Sequence, residues 1–172
     1  MKGRIIAGIA GAALAIAGSI IAKWEGVRFK AYQDVGGVWT ICEGHTRGVK
    51  PGDVATQAQC DTYLAEDMRV AADIVARCIT HPIPDHVRGA LISATYNIGS
   101  KVVCESTLRR KMNAGDIEGG CRELLRWDNA NGQKYRGLTL RRQHEFAVCW
   151  PDFNTVRSGS TTDHPSMQRG NF

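Results

Sequence analysis

No block of Lys and Arg in this 172-residue chain has the density of a nucleic-acid-binding arm, although the net charge is +5. A diffuse basic surface of that kind suits anionic lipid or an acidic wall polymer, and nucleic acid is not an expected partner. There is no His-Glu-x-x-His run and no cluster of His and Cys at metal-ligand spacing, so no metal site is expected. The one long uncharged run, residues 5–22, is weakly apolar for a membrane span. Its Ile residues and Leu14 favour hydrocarbon by roughly 0.3–0.6 kcal/mol each, and Gly8, Gly11, Gly18 and Ser19 erode the sum. At about 1.5 Å per residue the run reaches roughly 27 Å, barely the hydrocarbon core. That excludes a secure permanent anchor and leaves room for a temporary one. At this length the chain can bury the core of one domain, with the possibility of two lobes.

Lys2 and Arg4 precede the apolar run. A basic flank before an apolar stretch is an export signal, and its positive end stays in the cytoplasm. Three readings of the run follow. Ala13-Leu14-Ala15 or Ala15-Ile16-Ala17 is a candidate cleavage site. The small-residue face of Gly8, Gly11, Ala12 and Ala15 can pack a dimer of membrane helices. The third reading is an uncleaved anchor that later leaves the bilayer.

The stretch that follows carries the chemistry. Glu25 comes directly after the apolar run, Asp34 precedes Val35-Gly36-Gly37, and Thr40 follows Trp39. Gly36-Gly37 marks a tight turn between two strand-like segments holding Phe29, Tyr32, Val35, Val38, Trp39 and Ile41, so two or three short strands are expected. A Glu at the end of an apolar helix and an Asp at a turn sit in different environments. Glycoside hydrolysis needs such a pair: one carboxylic acid that donates to the leaving oxygen, and one carboxylate that faces the sugar or a water.

Glu25, Asp34 and Thr40 in that order, with Gly37-Val38-Trp39-Thr40 and Gly44-His45-Thr46, resemble the phage-type lysozymes, endolysins that cut the glycan strands of peptidoglycan. The resemblance continues almost to Trp150 through TYNIG (95–99), STLRRKMNAGD (106–116) and GLTLRRQHEF (137–146). The apolar start resembles the signal-anchor-release subgroup found in lambdoid and related phages. The resemblance implies an α+β, lysozyme-like fold. A small β-containing lobe (23–55) carries the catalytic residues, a long linking helix (56–79) follows, and a larger all-α lobe (80–150) completes the domain. An N-terminal apolar helix (1–22) precedes it. It further implies cleavage of the β-1,4 bond between N-acetylmuramic acid and N-acetylglucosamine. Glu25 would be the general acid, and Asp34 would stabilise the transition state or act on a water. Thr40, too weak an acid to attack unaided, would hold that water in an inverting mechanism. Asn97, Asn131 and Tyr135 are implied sugar contacts; His45, by itself a candidate base or metal ligand, is implied to be structural, with Asp67 as its partner. The resemblance favours the uncleaved anchor, and release of that helix would assemble the active site.

Periodicity supports the helical part. Thr56-x-x-Gln59 is a capping box opening a helix with apolar residues at Cys60, Leu64, Met68, Ala71, Val75 and Cys78. Pro82 and Pro84 end the connection, and residues 85–98 read as a helix closed by Gly99. Residues 106–113 read as helix stopped by Gly115, residues 116–127 as another with Cys121, Leu124 and Leu125 inward, residues 128–135 as a polar loop and residues 139–150 as the last helix. Arg109, Arg110, Arg141 and Arg142 are candidates for binding phosphate or wall anions, but such arginines more often form solvated faces and ion pairs of small consequence. The tail, residues 151–172, is polar and aperiodic and is expected to be disordered.

Six cysteines behind an export signal imply disulfides in an oxidising compartment. Several connectivities are possible. Adjacent pairing, Cys42–Cys60, Cys78–Cys104 and Cys121–Cys149, is the most economical, each loop contributing roughly 2–4 kcal/mol. None of the six lies in the anchor, which excludes a thiol-exchange lock there, and a Cys nucleophile is not expected.

The expected partners are peptidoglycan, the host inner membrane transiently and the host export machinery, with a monomer after release and no cofactor. The expected location is the host inner membrane with the catalytic domain in the periplasm, then the periplasm itself. Three rivals remain at this point: a membrane-tethered wall-binding protein without catalysis, a lytic transglycosylase, which needs a Glu but no partner Asp, and an ordinary secreted lysozyme with a cleaved signal.

Overall fold

The computed structural model of the chain describes residues 6–34, 36–130 and 132–151, with side chains from residue 11 onward. Lys2, Arg4, Ile5, Val35, Asn131 and the tail from residue 152 lie outside the described residues.

The apolar run forms helix α1, Ile6–Trp24. It is rich in Ala, the strongest helix former, and ends before Gly26. Ala13, Ala17, Ile20 and Ile21, at helical spacing i, i+4, i+7 and i+8, are 0–1% exposed. Ala12, Ala15, Ser19 and Ala22 face solvent. Here α1 is part of the main core, packed on α3, Asp85–Ile98. The approach is close because α3 presents Gly89. A Cβ there would lie 2.6 Å from Ile16 Cγ2 and 2.9 Å from the Ala13 carbonyl oxygen. Among the described residues no helix is long and apolar enough to cross a membrane.

The small lobe is one antiparallel pair, β1 (Arg28–Gln33) and β2 (Trp39–Cys42), with Tyr32 opposite Thr40 and Gln33 opposite Trp39. In place of a third strand there are isolated bridges, Lys30 with Val54 and Ile41 with His45. Its core is small: Ile41, Cys42, Ala55 and Cys60, lined by Ala31, Val49 and Tyr63. Phe29 and Val38 stay exposed, because a two-stranded ribbon has too little on its outer side to cover them.

Helix α2, Gln57–Cys78, starts at the expected capping box. The Gln59 N–H donates to Thr56 Oγ1 at 3.3 Å, and the Thr56 N–H donates to Gln59 Oε1 at 2.8 Å. Ala71 and Val75 are buried, but Leu64 and Met68 are only half-buried, since the middle of this helix runs between the lobes.

The helical lobe departs from the sequence pattern in four places. A short helix α4, Lys101–Cys104, follows Gly99 and precedes α5, Thr107–Asn113. The single helix expected over 116–127 is α6, Ile117–Glu123, followed by a 3-10 turn, Leu124–Arg126, which buries Leu124 and leaves Leu125 half-buried. The polar loop carries a small hairpin, β3 (Asn129–Ala130) with β4 (Gln133–Lys134). Buried Asp128 anchors that hairpin, accepting from Thr139 Oγ1 at 3.0 Å and pairing with Lys134 Nζ at 3.1 Å. The last helix, α7, Arg136–Cys149, begins three residues earlier than its periodicity indicated. Disulfides join Cys42 to Cys60, Cys78 to Cys104 and Cys121 to Cys149. The first ties the end of β2 to the first turn of α2. Cys42 has a φ of 57°, a left-handed conformation that costs a non-glycine residue roughly 1–2 kcal/mol.

Gly89→Ala places a methyl against the α1 backbone and has no flexible side chain to push aside. It should lower stability by about 1–3 kcal/mol, read as a shift in the urea or thermal midpoint; an unchanged midpoint would show that α1 is not seated on α3.

Candidate functional site

Glu25 is the first residue after α1, and its N–H donates to the Ile21 carbonyl at 2.8 Å. Its backbone therefore continues the last helical turn and is placed by whatever places α1. Its Oε1 accepts from Arg141 Nη1 of α7. Arg141 is 4% exposed, and its Nε donates to Glu145 Oε1 at 3.3 Å. Glu145, fully buried, also accepts from Ser93 Oγ of α3 at 2.7 Å and pairs with Arg142 Nε at 2.9 Å. Arg142, fully buried too, donates from Nη2 to Asn97 Oδ1 at 2.9 Å. One charged chain thus runs from the end of α1 through α7 to α3.

Burial pushes the Glu145 carboxyl up, against the pull of Arg142, Ser93 and Arg141. Burial likewise pushes the Arg142 guanidinium down, against the attraction of Glu145. Each charge is tolerable only because the other is present, so the pair fixes geometry more than it adds stability.

A second contact lies one helical turn along α7. Trp24 Nε1 donates to His144 Nδ1 at 2.9 Å. Arg141 and His144, at i and i+3, therefore hold the consecutive residues Glu25 and Trp24. Burial pushes the His144 imidazole down, and Lys23 adds to this.

Asp34 is placed by local structure. Its Oδ1 accepts from the N–H groups of Gly36 and Val38, both at 2.8 Å. The Gly37 N–H donates to the Asp34 carbonyl, and Gly37 holds a φ of 77° that favours glycine. The carboxylate is exposed, with one oxygen fixed by the turn. Thr40 is 3% exposed, and its hydroxyl donates to the Val38 carbonyl at 3.0 Å. Its proton is thereby used, and its lone pairs are what it can offer a water.

His45 and Asp67 meet, with Nδ1 and Oδ2 2.7 Å apart. The other Asp67 oxygen takes Arg47 Nη2 at 2.8 Å, His45 Nε2 is 3.0 Å from the Arg47 carbonyl oxygen, and the His45 ring stacks on Tyr63. Every polar group of this imidazole is engaged in joining the small lobe to α2. Asn97 has its side-chain oxygen committed to Arg142. Tyr135 is 45% exposed and lines a hollow of about 540 Å³ with Trp24, Ala130, Leu138 and Arg141. Asn131 lies outside the described residues.

The sequence reading missed several groups here. Arg141 and Arg142, assigned to a solvated surface, are buried; Arg-Arg-x-x-Glu places Glu145 at i+4 and i+3 from them, a spacing that signals an intrahelical pair. Glu43, 6% exposed, was not singled out either. Burial, offset by its own backbone, pushes its carboxyl up, and Asp61 and Glu25 add to this. Its carbonyl accepts from Tyr96 Oη of α3 at 2.7 Å, which joins the two lobes. Cys42, Glu43 and Cys60 come within 4.8 Å of one another, the one cluster of metal-ligating groups among the described residues, but the two sulfurs are bonded to each other.

The family model for phage lysozyme matches residues 22–145. The chain is 42% identical over 156 residues to a SAR-endolysin of Bacteriophage PS119, covering 87% of this chain and 93% of that one. Its fold is similar to the active form of P1 phage endolysin Lyz, with a TM-score of 0.71 and 25% identity, over 88% of this chain and 98% of that one. The muramidase domain of SpmX from Asticaccaulis excentricus aligns with a TM-score of 0.72 and 28% identity, over 79% of this chain and 95% of that one.

Glu145→Gln keeps the shape and removes the counter-charge of Arg142. It should cost about 3–5 kcal/mol at neutral pH, measured by urea unfolding; a cost below about 1 kcal/mol would mean that the buried arginines find other partners.

Proposed function

This chain belongs to the phage lysozyme family and is a peptidoglycan hydrolase of host-cell lysis, and we propose that Glu25 is its general acid on the β-1,4 bond between N-acetylmuramic acid and N-acetylglucosamine. The observation that carries this reading is the setting of Glu25: it ends a docked helix, and one of its carboxyl oxygens is held by a buried arginine. As the acid, Glu25 gives a proton from its other oxygen, Oε2, to the glycosidic oxygen as the C1–O bond breaks. Asp34 takes a proton from a water, and that water's oxygen bonds to C1 from the opposite face, inverting the configuration. The turn that fixes Asp34 Oδ1 leaves its Oδ2 for this role, and Thr40 accepts a hydrogen bond from the same water. Asn97, through its amide nitrogen, and Tyr135 contact sugar. His45 and Asp67 act structurally.

The first 22 residues serve as a temporary anchor. The protein is exported by the host machinery, held in the inner membrane with its catalytic domain in the periplasm, and active as a soluble monomer after release. Two features of α1 support this. One face consists of small residues, three alanines and Ser19, that tolerate solvent, and the other fits the groove over Gly89. While α1 lies in the bilayer, Glu25 is away from Arg141, so seating α1 completes the site.

Glu25→Gln should lower wall lysis by about 10²–10⁴-fold with an unchanged melting temperature; retained activity would move the acid elsewhere. Removing residues 1–22 should abolish lysis, because the core beneath α1 is uncovered and Glu25 loses its support. Mass analysis of the released fragments should show reducing-end muramic acid, whereas anhydro-sugars would assign a lytic transglycosylase.

A further inference from the structure

The family chemistry does not account for the contact between Trp24 and His144. Trp24 Nε1 is a donor and nothing else, so the 2.9 Å contact requires a lone pair on His144 Nδ1. The imidazole must be neutral, with its proton on Nε2. A protonated ring would set a donor against a donor. Trp24 is the last residue of α1, and Glu25 follows it directly. The contact is therefore one covalent step from the proposed acid, and it comes from the same helix that supplies Arg141.

The surroundings favour the neutral ring. Lys23 of α1 is the charge that acts on His144, and it opposes protonation. On α7 the charged neighbours Arg141, Arg142 and Glu145 are engaged with Glu25, with Asn97 and with one another. The nearby part of α3 supplies the uncharged Ser93 and Asn97. From α6, Arg122 stacks over Phe146, and from the 3-10 turn Arg126 pairs with Glu123. The engaged carboxylates leave no acidic group facing the ring to offset Lys23 among these contacts.

We propose that His144 is a positioning residue for the hydrolase: as the neutral imidazole it holds Trp24, and through Trp24 it sets the backbone of Glu25 beside Arg141. The inference rests on the reading of Glu25 as the acid. Arg141 alone grips one atom at the tip of a side chain and leaves the α1 end free to pivot. The second grip, on the preceding residue, removes that freedom. Protonation of His144 releases it. The sign is definite: a depressed imidazole pKa means that the held state is fully present above the ordinary value of 6.5 and is lost as pH falls below it.

The test is a pH profile of wall lysis between pH 4.5 and 8 for the parent, His144→Gln, Trp24→Phe and Glu25→Gln, all as full-length released protein. Gln offers the indole an acceptor that never titrates. The parent should lose activity on the acid side with an inflection below 6.5, seen in kcat rather than KM. His144→Gln should lack that inflection, so that its ratio of activity at pH 7.5 to that at pH 5 falls by about fivefold relative to the parent's. Trp24→Phe removes the donor. It should lower kcat at pH 7.5 by about fivefold and also lack the inflection. The Trp24 indole N–H resonance of the parent should shift with the same midpoint. Superimposable profiles in parent and His144→Gln, or an indole resonance flat across the range, overturn the proposal while leaving Glu25 as the acid. An active Glu25→Gln overturns the reading beneath it.

Discussion

The close seat of α1 on α3 is the constraint from which the large-lobe half of the site follows. Gly89 removes a side chain where Ile16 and the Ala13 carbonyl arrive, and Ala13, Ala17, Ile20 and Ile21 fill the groove. Packing at that density tolerates little displacement. Glu25 is bonded into the last turn of the same helix, so apolar packing delivers its backbone, and the contacts of Trp24 with His144 and of Glu25 with Arg141 fix the helix end. Arg141 then needs only to orient a carboxyl group that has already been delivered.

The two carboxyl groups are held by unlike physics. Asp34 is fixed by a turn of five residues, through backbone N–H groups that exist wherever that turn forms. Glu25 is held by Arg141, more than a hundred positions away, which is itself backed by the fully buried Glu145. A local device survives partial unfolding of the lobe beyond it, whereas the Glu25 device does not. The asymmetry makes the position of Glu25, unlike that of Asp34, conditional on the closure of the helical lobe around it.

Three links tie the small lobe to the rest. The Cys42–Cys60 disulfide clips β2 to the start of α2. The His45–Asp67–Arg47 cluster joins the next turn to the middle of that helix. Tyr96 reaches from α3 to the Glu43 carbonyl. A two-stranded ribbon with a core of a few residues has little independent stability. Its order is borrowed through these links, which lie just beyond Thr40 on the chain.

The sequence by itself determined what depends on neighbours along the chain. The capping box starts α2, Gly99 closes α3, Gly36-Gly37 turns the ribbon and shapes the carboxyl site at Asp34, and the motifs around Glu25, Asp34 and Thr40 pointed to the family. The apolar character of α1 was equally legible, since hydropathy is a sum over adjacent residues. Only the tertiary structure decided where that helix goes, because an apolar face does not specify whether lipid or protein will cover it; Gly89, far along the chain, supplies the groove. The roles of Arg141 and Arg142 were misjudged for the same reason. An arginine reads as exposed until its burial is known, and that burial comes from packing α7 on α3 and beside the end of α1. His144 carried no signal at all, since its meaning lies in a lone pair aimed at an indole on another helix.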